Sequence, residues 1–274
     1  MPELPEVEVL RLSLEPRLPG KRIERVAVRQ PGLREPVSAD RLERDCRGRK
    51  VVSLRRRAKY LLIDLEGSRT LVVHLGMSGR LTLVEASAPP EPHEHVAFFL
   101  GSGERLRFRD PRRFGMIFTA PTDGLEGDRH FSHLGVEPLG GEFDGGWLEG
   151  AAAGRRGPVK TFLMDARVVV GVGNIYVAEA LFRSGIHPGR SVARIGRERW
   201  NRLASEVRAV LAGAIEEGGT TLNDFADSDG QAGYFQVSLS VYGREGEPCP
   251  RCSRPIRRIV QANRSTFYCP GCQH

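Results

Sequence analysis

The stretch Tyr60-Leu61-Leu62-Ile63-Asp64-Leu65-Glu66-Gly67-Ser68-Arg69-Thr70-Leu71-Val72-Val73-His74 reads as two strands folded back on one turn. Large apolar and β-branched side chains fill residues 60–64 and 71–74, and Glu66-Gly67-Ser68 supplies the turn. A second pair follows the same plan, because residues 96–100 and 105–109 flank Gly101-Ser102-Gly103. Upstream, Ile23, Val26 and Val28 form a loosely alternating run, and residues 114–119 continue the pattern downstream. Several short strands at this spacing predict an antiparallel sandwich or barrel over residues 23–119.

Residues 2–18 admit two readings. Val7, Leu10 and Leu14 share one helical face and Pro5 suits a helix start, whereas Leu10, Leu12 and Leu14 alternate as in a strand. A helix ending before Pro19-Gly20 is the expectation. Residues 120–146 are rich in Gly, Pro and Asp and read as a connector. Beyond them the period becomes helical, with candidates over residues 159–165, 176–183 and 198–217. In the last, Trp200, Leu203, Val207, Val210, Leu211 and Ile215 make one apolar stripe suited to core packing. Residues 218–235 hold Gly218-Gly219 and Ser228-Asp229-Gly230 and are expected to form a flexible loop. The expected division is an N-terminal domain at 1–130, a helical domain at 131–236 and a cysteine-bearing lobe at 237–274.

The 274-residue chain carries a net charge of +7 and an isoelectric point near 9.5. That balance suits a polyanionic partner. Only Lys21, Lys50, Lys59 and Lys160 are Lys among 41 basic side chains, so each Lys stands against a background that prefers Arg. No apolar run is long enough for a membrane span, and the acidic N-terminus does not resemble a secretory signal. A cytoplasmic protein is expected.

Four of the five cysteines crowd the last 26 residues as Cys249-x2-Cys252-x16-Cys269-x2-Cys272. Two CxxC knuckles each give two thiolates to one tetrahedral zinc ion, and the spacer fits a β-hairpin. An all-Cys site leaves no open position for water, so one structural Zn2+ is expected and catalysis must lie elsewhere. A lobe this small needs its metal to fold. Arg251, Arg254, Arg257, Arg258 and Arg264 make it basic. Cys46, alone, reads as a small buried apolar residue.

The chain begins Met1-Pro2-Glu3. Initiator Met is normally removed before a small residue, which would leave Pro2 with a free secondary amine. A free α-amine has a pKa near 7.7–8.0, so roughly a third is neutral at about pH 7.5, against about 0.1% of lysines. Such an amine can attack a sugar C1′ and form an iminium ion. Glu3 beside it could move protons. Alone, Met-Pro-Glu is a weak signal that reads first as a mere helix start, and a retained Met1 would block the amine.

Taken together, these features resemble the formamidopyrimidine-DNA glycosylase family along essentially the whole chain. The resemblance is carried by residues 2–8, by His74-Leu75-Gly76-Met77-Ser78-Gly79, and by Asp110-Pro111-Arg112-Arg113-Phe114-Gly115. It continues in Val170-Gly171-Val172-Gly173-Asn174-Ile175-Tyr176, Gly218-Gly219-Thr220-Thr221-Leu222, the segment from Tyr242 to Cys249, and the segment from Arg264 to Cys269. It implies an α+β multidomain fold: an N-terminal antiparallel β-sandwich with flanking helices, a helical domain with a helix–two-turn–helix motif, and a C-terminal zinc-finger β-hairpin.

The resemblance also implies roles. Pro2 would be the nucleophile, Glu3 the general acid that helps open the sugar, and Glu6 a hydrogen-bonding support. Lys59 would lie near the lesion and its phosphate, where a compact rotatable donor suits. The family often has Gly before this lysine, and here it is Ala58. His74, otherwise a strand-end core histidine, would contact phosphate. Asn174, otherwise a turn and N-cap residue, would do the same at a helix N-terminus. Lys160 and Arg264 match basic positions near the DNA backbone, and Tyr242 matches more weakly. Met77, Arg112 and Phe114 resemble the trio that fills the space left by an extruded base, with Arg112 pairing the orphaned cytosine. Read alone, Met77 and Phe114 would be core residues. The loop 218–235 would close over the flipped base.

The implied activity is a bifunctional glycosylase and AP lyase acting on oxidised purines (8-oxoguanine and formamidopyrimidines) in damaged double-stranded DNA during base-excision repair. It would work as a monomer, in the bacterial cytoplasm at the nucleoid. Three other readings compete. Endonuclease VIII-like glycosylases for oxidised pyrimidines share the nucleophile and zinc finger, but Leu4 and the Met77/Arg112/Phe114 set favour the purine branch. A non-catalytic damage binder is opposed by intact Pro2, Glu3 and Lys59. A zinc-ribbon transcription or translation factor explains the cysteines and charge but nothing in residues 2–115.

Overall fold

The helix expected at the N-terminus forms as α1 (Leu4–Leu14). Eight strands follow it: β1 (Ile23–Val28), β2 (Val51–Arg57), β3 (Tyr60–Leu65), β4 (Arg69–His74), β5 (Arg80–Glu85), β6 (Glu94–Leu100), β7 (Glu104–Arg109) and β8 (Met116–Pro121). A short helix, α2 (Ala39–Cys46), lies between β1 and β2. The computed structural model describes residues 2–219 and 239–274.

The hairpin read from residues 60–74 is β3 paired antiparallel with β4, with Leu62 opposite Val72 and Tyr60 opposite His74. It sits at the centre of a four-stranded antiparallel sheet of order β2-β3-β4-β8. The second expected hairpin is β6 with β7, central to a sheet of order β1-β6-β7-β5. Leu61, Ile63, Leu71, Val73 and Ile117 from one sheet share a buried cluster with Ile23, Leu81, Val96, Phe98 and Phe108 from the other. The two sheets therefore form a sandwich. Val7, Leu10 and Leu14 of α1 join the same cluster, each contributing about 1.5–3 kcal/mol of apolar burial. Cys46 is also in it, as expected, and burial pushes its thiol up to about 12. Residues 114–119 depart from the expectation in one detail: the strand starts at Met116, and Phe114 stays outside it, exposed.

The described residues divide into two compact units, 2–132 with 218–219, and 133–217 with 239–274. The second contains α3 (Gly145–Ala152), α4 (Val159–Leu163), α5 (Asn174–Arg183), α6 (Arg197–Glu216) and the hairpin β9 (Arg257–Gln261) with β10 (Arg264–Tyr268). Trp200, Leu203, Val207, Val210 and Leu211 of α6 are buried, as the stripe required, while Ile215 at its end is only half-buried. The region of 120–146 is largely irregular, and Asp144 ends it by capping α3 through the Trp147 amide at 2.7 Å.

The cysteine lobe lies on α5. Ile256, Cys249 and Cys269 share a small core with Ala178 and Phe182 of that helix and with Val241. Glu179, 3% exposed, fixes the lead-in to the lobe by accepting the amides of Ser240, Val241 and Tyr242 at 2.9, 3.0 and 2.9 Å. Of the expected loop 218–235, all but Gly218 and Gly219 lies outside the described residues.

Candidate active site

Pro2 is buried and leads directly into α1. Glu3, at the N-cap with φ −106° and ψ −165°, and Glu6, at the third helical position, form a reciprocal capping box. The Glu3 amide donates to Glu6 Oε2 at 2.7 Å, and the Glu3 carboxylate accepts the Glu6 amide. Both side chains are 2% exposed. Glu6 therefore orients the peptide joined to Pro2, while the Glu3 carboxylate is held at the start of the helix. Gly219 adopts φ +83°, and a Cβ there would lie 3.4 Å from Glu6 Cγ, so the chain passes close over Glu6.

A short turn between β2 and β3 carries Lys59, half-buried. Ala58 takes φ +54°, a backbone glycine adopts freely and alanine at a cost of about 1 kcal/mol or more. The departure from Gly is thus accommodated by strain, and the turn geometry is kept.

His74 closes β4, paired with Tyr60 and Met116. Its Nδ1 accepts the Gly76 amide at 3.0 Å. Burial, then the positive charges of Lys59, Arg34 and His130, drive its pKa down to about 3. It is therefore neutral at pH 7, and with Nδ1 accepting, the proton resides on Nε2. Lys59 and Arg34 make this edge of the sheet electropositive.

Met77 lies half-buried on the turn after β4, and Arg112 and Phe114 are exposed on the loop before β8. Phe114 is 45% exposed, and the Arg112 guanidinium sits 5.4 Å from its ring centroid. The two loops touch through Gly76 at φ +65°, where a Cβ would fall 2.4 Å from the Gly115 nitrogen and the Phe114 carbonyl carbon. All three side chains of the expected trio thus belong to adjoining loops, and neither Met77 nor Phe114 is in the core.

In the second unit, Asn174 begins α5, after the turn at Gly171 with φ +79°. Its Nδ2 donates to the Ser265 carbonyl at 3.0 Å, and its Oδ1 is buried with no hydrogen-bond partner. Lys160 on α4 is 1% exposed, and its ammonium donates to Thr266 Oγ1 at 2.5 Å. A buried lysine side chain therefore lies beneath β10 at the point where α5 begins. Arg264 is exposed at the start of β10, directly after the turn residues Ala262 and Asn263 at φ +47° and +57°. Tyr242, half-buried, meets Phe267 edge-on at 5.2 Å.

The four sulfurs of Cys249, Cys252, Cys269 and Cys272 lie within 4.8 Å of one another. The Cys249–Cys272 and Cys252–Cys269 separations are 3.8 and 3.4 Å. A tetrahedral zinc with Zn–S bonds of about 2.3 Å requires sulfurs about 3.8 Å apart, so the donors fit the ion. The four thiolates would complete its coordination, and the ion would serve to fold the lobe.

Family models match the chain in three consecutive segments. Residues 1–117 match the formamidopyrimidine-DNA glycosylase N-terminal domain, 134–226 its H2TH domain, and 246–274 the zinc finger found in FPG and IleRS. The chain belongs to the formamidopyrimidine-DNA glycosylase family. It is 53% identical over 273 residues to the formamidopyrimidine-DNA glycosylase of Halorhodospira halophila and 50% identical over 275 residues to that of Marinobacter nauticus, each alignment covering 100% of both chains. Among solved structures it resembles the MutM (Fpg) protein of Thermus thermophilus, with a TM-score of 0.88 and 40% identity over 99% of this chain and 98% of that one. It also resembles a Lactococcus lactis Fpg variant in complex with a Fapy-dG containing DNA, with a TM-score of 0.92 and 31% identity over 99% of both chains. Membership makes it a DNA-repair glycosylase with a structural zinc finger. Among the described residues, no helix is long and apolar enough to cross a membrane.

Sequence reasoning does not single out several groups that shape the site. Arg34 helps keep His74 neutral, Glu179 fixes the lead-in to the zinc lobe, and Asp110 stands in the sequence only as one member of a motif. Arg34 and Glu179 act through partners distant in sequence, and Asp110 joins its own loop to Ser78 of a second motif, a link that no local pattern shows.

Proposed function

We propose that this protein is a bifunctional DNA glycosylase and AP lyase that removes oxidised purines, 8-oxoguanine and formamidopyrimidines, from double-stranded DNA through a covalent intermediate on Pro2. The observation that carries the reading is the capping box, which sets two buried carboxylates beside the backbone of residue 2. With Met1 removed, the Pro2 nitrogen attacks C1′ of the extruded nucleotide as the bond to the base breaks, and the proton the amine gives up balances the one the departing base takes on. Glu3 donates the proton that opens the sugar ring and leaves an iminium ion. β- and then δ-elimination releases the strand ends, and hydrolysis of the iminium ion restores the amine.

The remaining residues hold the substrate in this reading. Lys59 and neutral His74 donate hydrogen bonds to backbone phosphate. Asn174 and Arg264 hold a second stretch of backbone, with the buried Lys160 ammonium adding positive charge beneath them, and Tyr242 lies alongside. Met77, Arg112 and Phe114 enter the vacated stack. The net charge of +7 and the relatives' DNA-bound structures support this assignment. The protein would act as a monomer on the chromosome in the cytoplasm.

Borohydride trapping tests the reading. A duplex carrying 8-oxoguanine opposite cytosine should give an adduct mapping to residue 2, lost in Pro2→Gly and when Met1 is retained. A stronger adduct with an oxidised pyrimidine would assign the chain to the sister activity. Tight binding with no adduct on either duplex would leave only damage recognition.

A further inference from the structure

Asp110 is fully buried, yet its carboxylate joins two surface loops. Oδ1 accepts the Ser78 hydroxyl at 2.6 Å and the Arg112 amide at 3.3 Å, and Oδ2 accepts the Gly115 amide at 2.8 Å. Ser78 Oγ in turn accepts the Arg112 amide at 3.1 Å. One carboxylate and one hydroxyl thus tie the turn bearing Met77 to both ends of the loop bearing Arg112 and Phe114.

The backbone of Asp110 is held as firmly. Its amide donates to the His93 carbonyl at 3.1 Å, and its carbonyl lies 2.9 Å from Nε2 of the fully buried His95. The other His95 nitrogen lies 3.2 Å from the Gln30 carbonyl. Close backbone approaches complete the joint: a Cβ on Gly115 would meet Phe108 Cζ at 2.6 Å, and one on Gly79 would meet the Leu75 carbonyl oxygen at 2.2 Å.

We propose that Asp110 and Ser78 are positioning residues for lesion extrusion, locking the two loops so that Met77, Arg112 and Phe114 enter the duplex as one rigid wedge. The inference rests on the glycosylase reading above. Opening a base pair costs unstacking and unpairing energy, which inserted side chains offset only if their own ordering has been completed beforehand. Phe114 and Arg112 are exposed and have little packing to order them. Their order must come from the backbone beneath, and Asp110 is the buried group that this backbone converges on.

Two variants separate this role from general stability. Ser78→Ala removes the bridging hydroxyl. Asp110→Asn keeps volume but retains only one acceptor oxygen, so its amide group opposes an N–H or O–H from one of the two loops. Each variant would be assayed in single turnover on a duplex with 8-oxoguanine opposite cytosine, and on the same duplex with a preformed abasic site, where no base needs extruding. Base excision should fall about tenfold or more, in line with the loss of a hydrogen bond to a charged group, while cleavage at the abasic site should stay within about twofold. A 2-aminopurine placed beside the lesion should lose its unstacking signal in the variants. Equal losses in both reactions, or no loss in either, overturn the inference. If Ser78→Ala fails to fold, both of its reactions fall together and Asp110→Asn, matched in volume, decides. A wild-type protein that processes neither duplex and forms no borohydride adduct refutes the glycosylase reading instead.

Discussion

Replacing His74 with Asn should flatten the acid sensitivity of this protein. The folded chain holds His74 neutral, with its pKa near 3 against an ordinary value of 6.5. Unfolded, the same imidazole takes up a proton below pH 6.5. Its contribution to stability is therefore full above pH 6.5 and is lost as pH falls from 6.5 towards 3. The slope approaches about 1.4 kcal/mol per pH unit once the unfolded imidazole is fully protonated, so wild type should lose about 2 kcal/mol from this group between about pH 6.5 and 4.5. Asn offers an amide oxygen to the Gly76 N–H in place of Nδ1, so the turn has its acceptor while the titrating group is gone. Denaturant unfolding of both proteins at pH 7 and 4.5 reads the difference directly. Wild type and variant losing stability in parallel would mean that His74 is not held neutral, and the argument for a neutral donor at this edge would fall with it. A DNA-binding corollary is available in the same samples. A neutral donor releases no counterion, so the variant should bind more weakly with an unchanged salt slope.

Chelating the metal, or Cys252→Ser, should unfold the lobe of residues 246–274, exposing its arginines to trypsin and weakening DNA binding by about tenfold or more, read by zinc content and limited proteolysis. A metal-free protein that keeps its protease resistance would contradict this. Glu179→Gln should cost about 1–3 kcal/mol in thermal unfolding, because one of three backbone amides at 240–242 then faces an amide group instead of a carboxylate oxygen. Arg264→Ala should lower the slope of log K against log salt by about one, whereas Phe114→Ala should leave that slope intact and slow base excision. Finding both variants alike in salt dependence would remove the distinction drawn between backbone holding and stack filling.

The sandwich is legible in the sequence because its central strands are its most apolar. β3 and β4 are buried nearly throughout, as their runs of Leu, Ile and Val suggest. The edge strands are harder. β2 reads Val-Val-Ser-Leu-Arg-Arg-Arg, with only two residues fully buried, and its charges obscure the alternation. The helix α2 is hidden because Leu42 and Cys46 are its only buried apolar side chains, in a segment otherwise charged; Ser38, whose hydroxyl accepts the Arg41 amide at 3.3 Å, is the available signal. The zinc site is fully readable, since its ligands announce themselves by spacing. Of the candidate site, the motif residues stand out in the sequence, Asp110 and Ser78 among them, but the hydrogen bonds that join one motif to another do not. Asp110 and Ser78 lie 32 positions apart, and the pairing of β5 with β7, which sets Arg80 opposite Arg109, makes them neighbours.

Helix α5 has an evolutionary consequence. Asn174 at its start holds the Ser265 carbonyl, Glu179 holds the amides of 240–242, and the Phe182 carbonyl near its end receives Arg251 at 3.2 Å. One inserted or deleted residue would rotate everything beyond it by about 100° and shift it by about 1.5 Å, breaking these attachments at once. The helix is in effect a ruler whose graduations cannot be renumbered. Substitutions along its surface can accumulate one at a time, but a change of length would need compensating changes in three separate places together. Length variation among descendants of this chain should therefore fall outside residues 174–183.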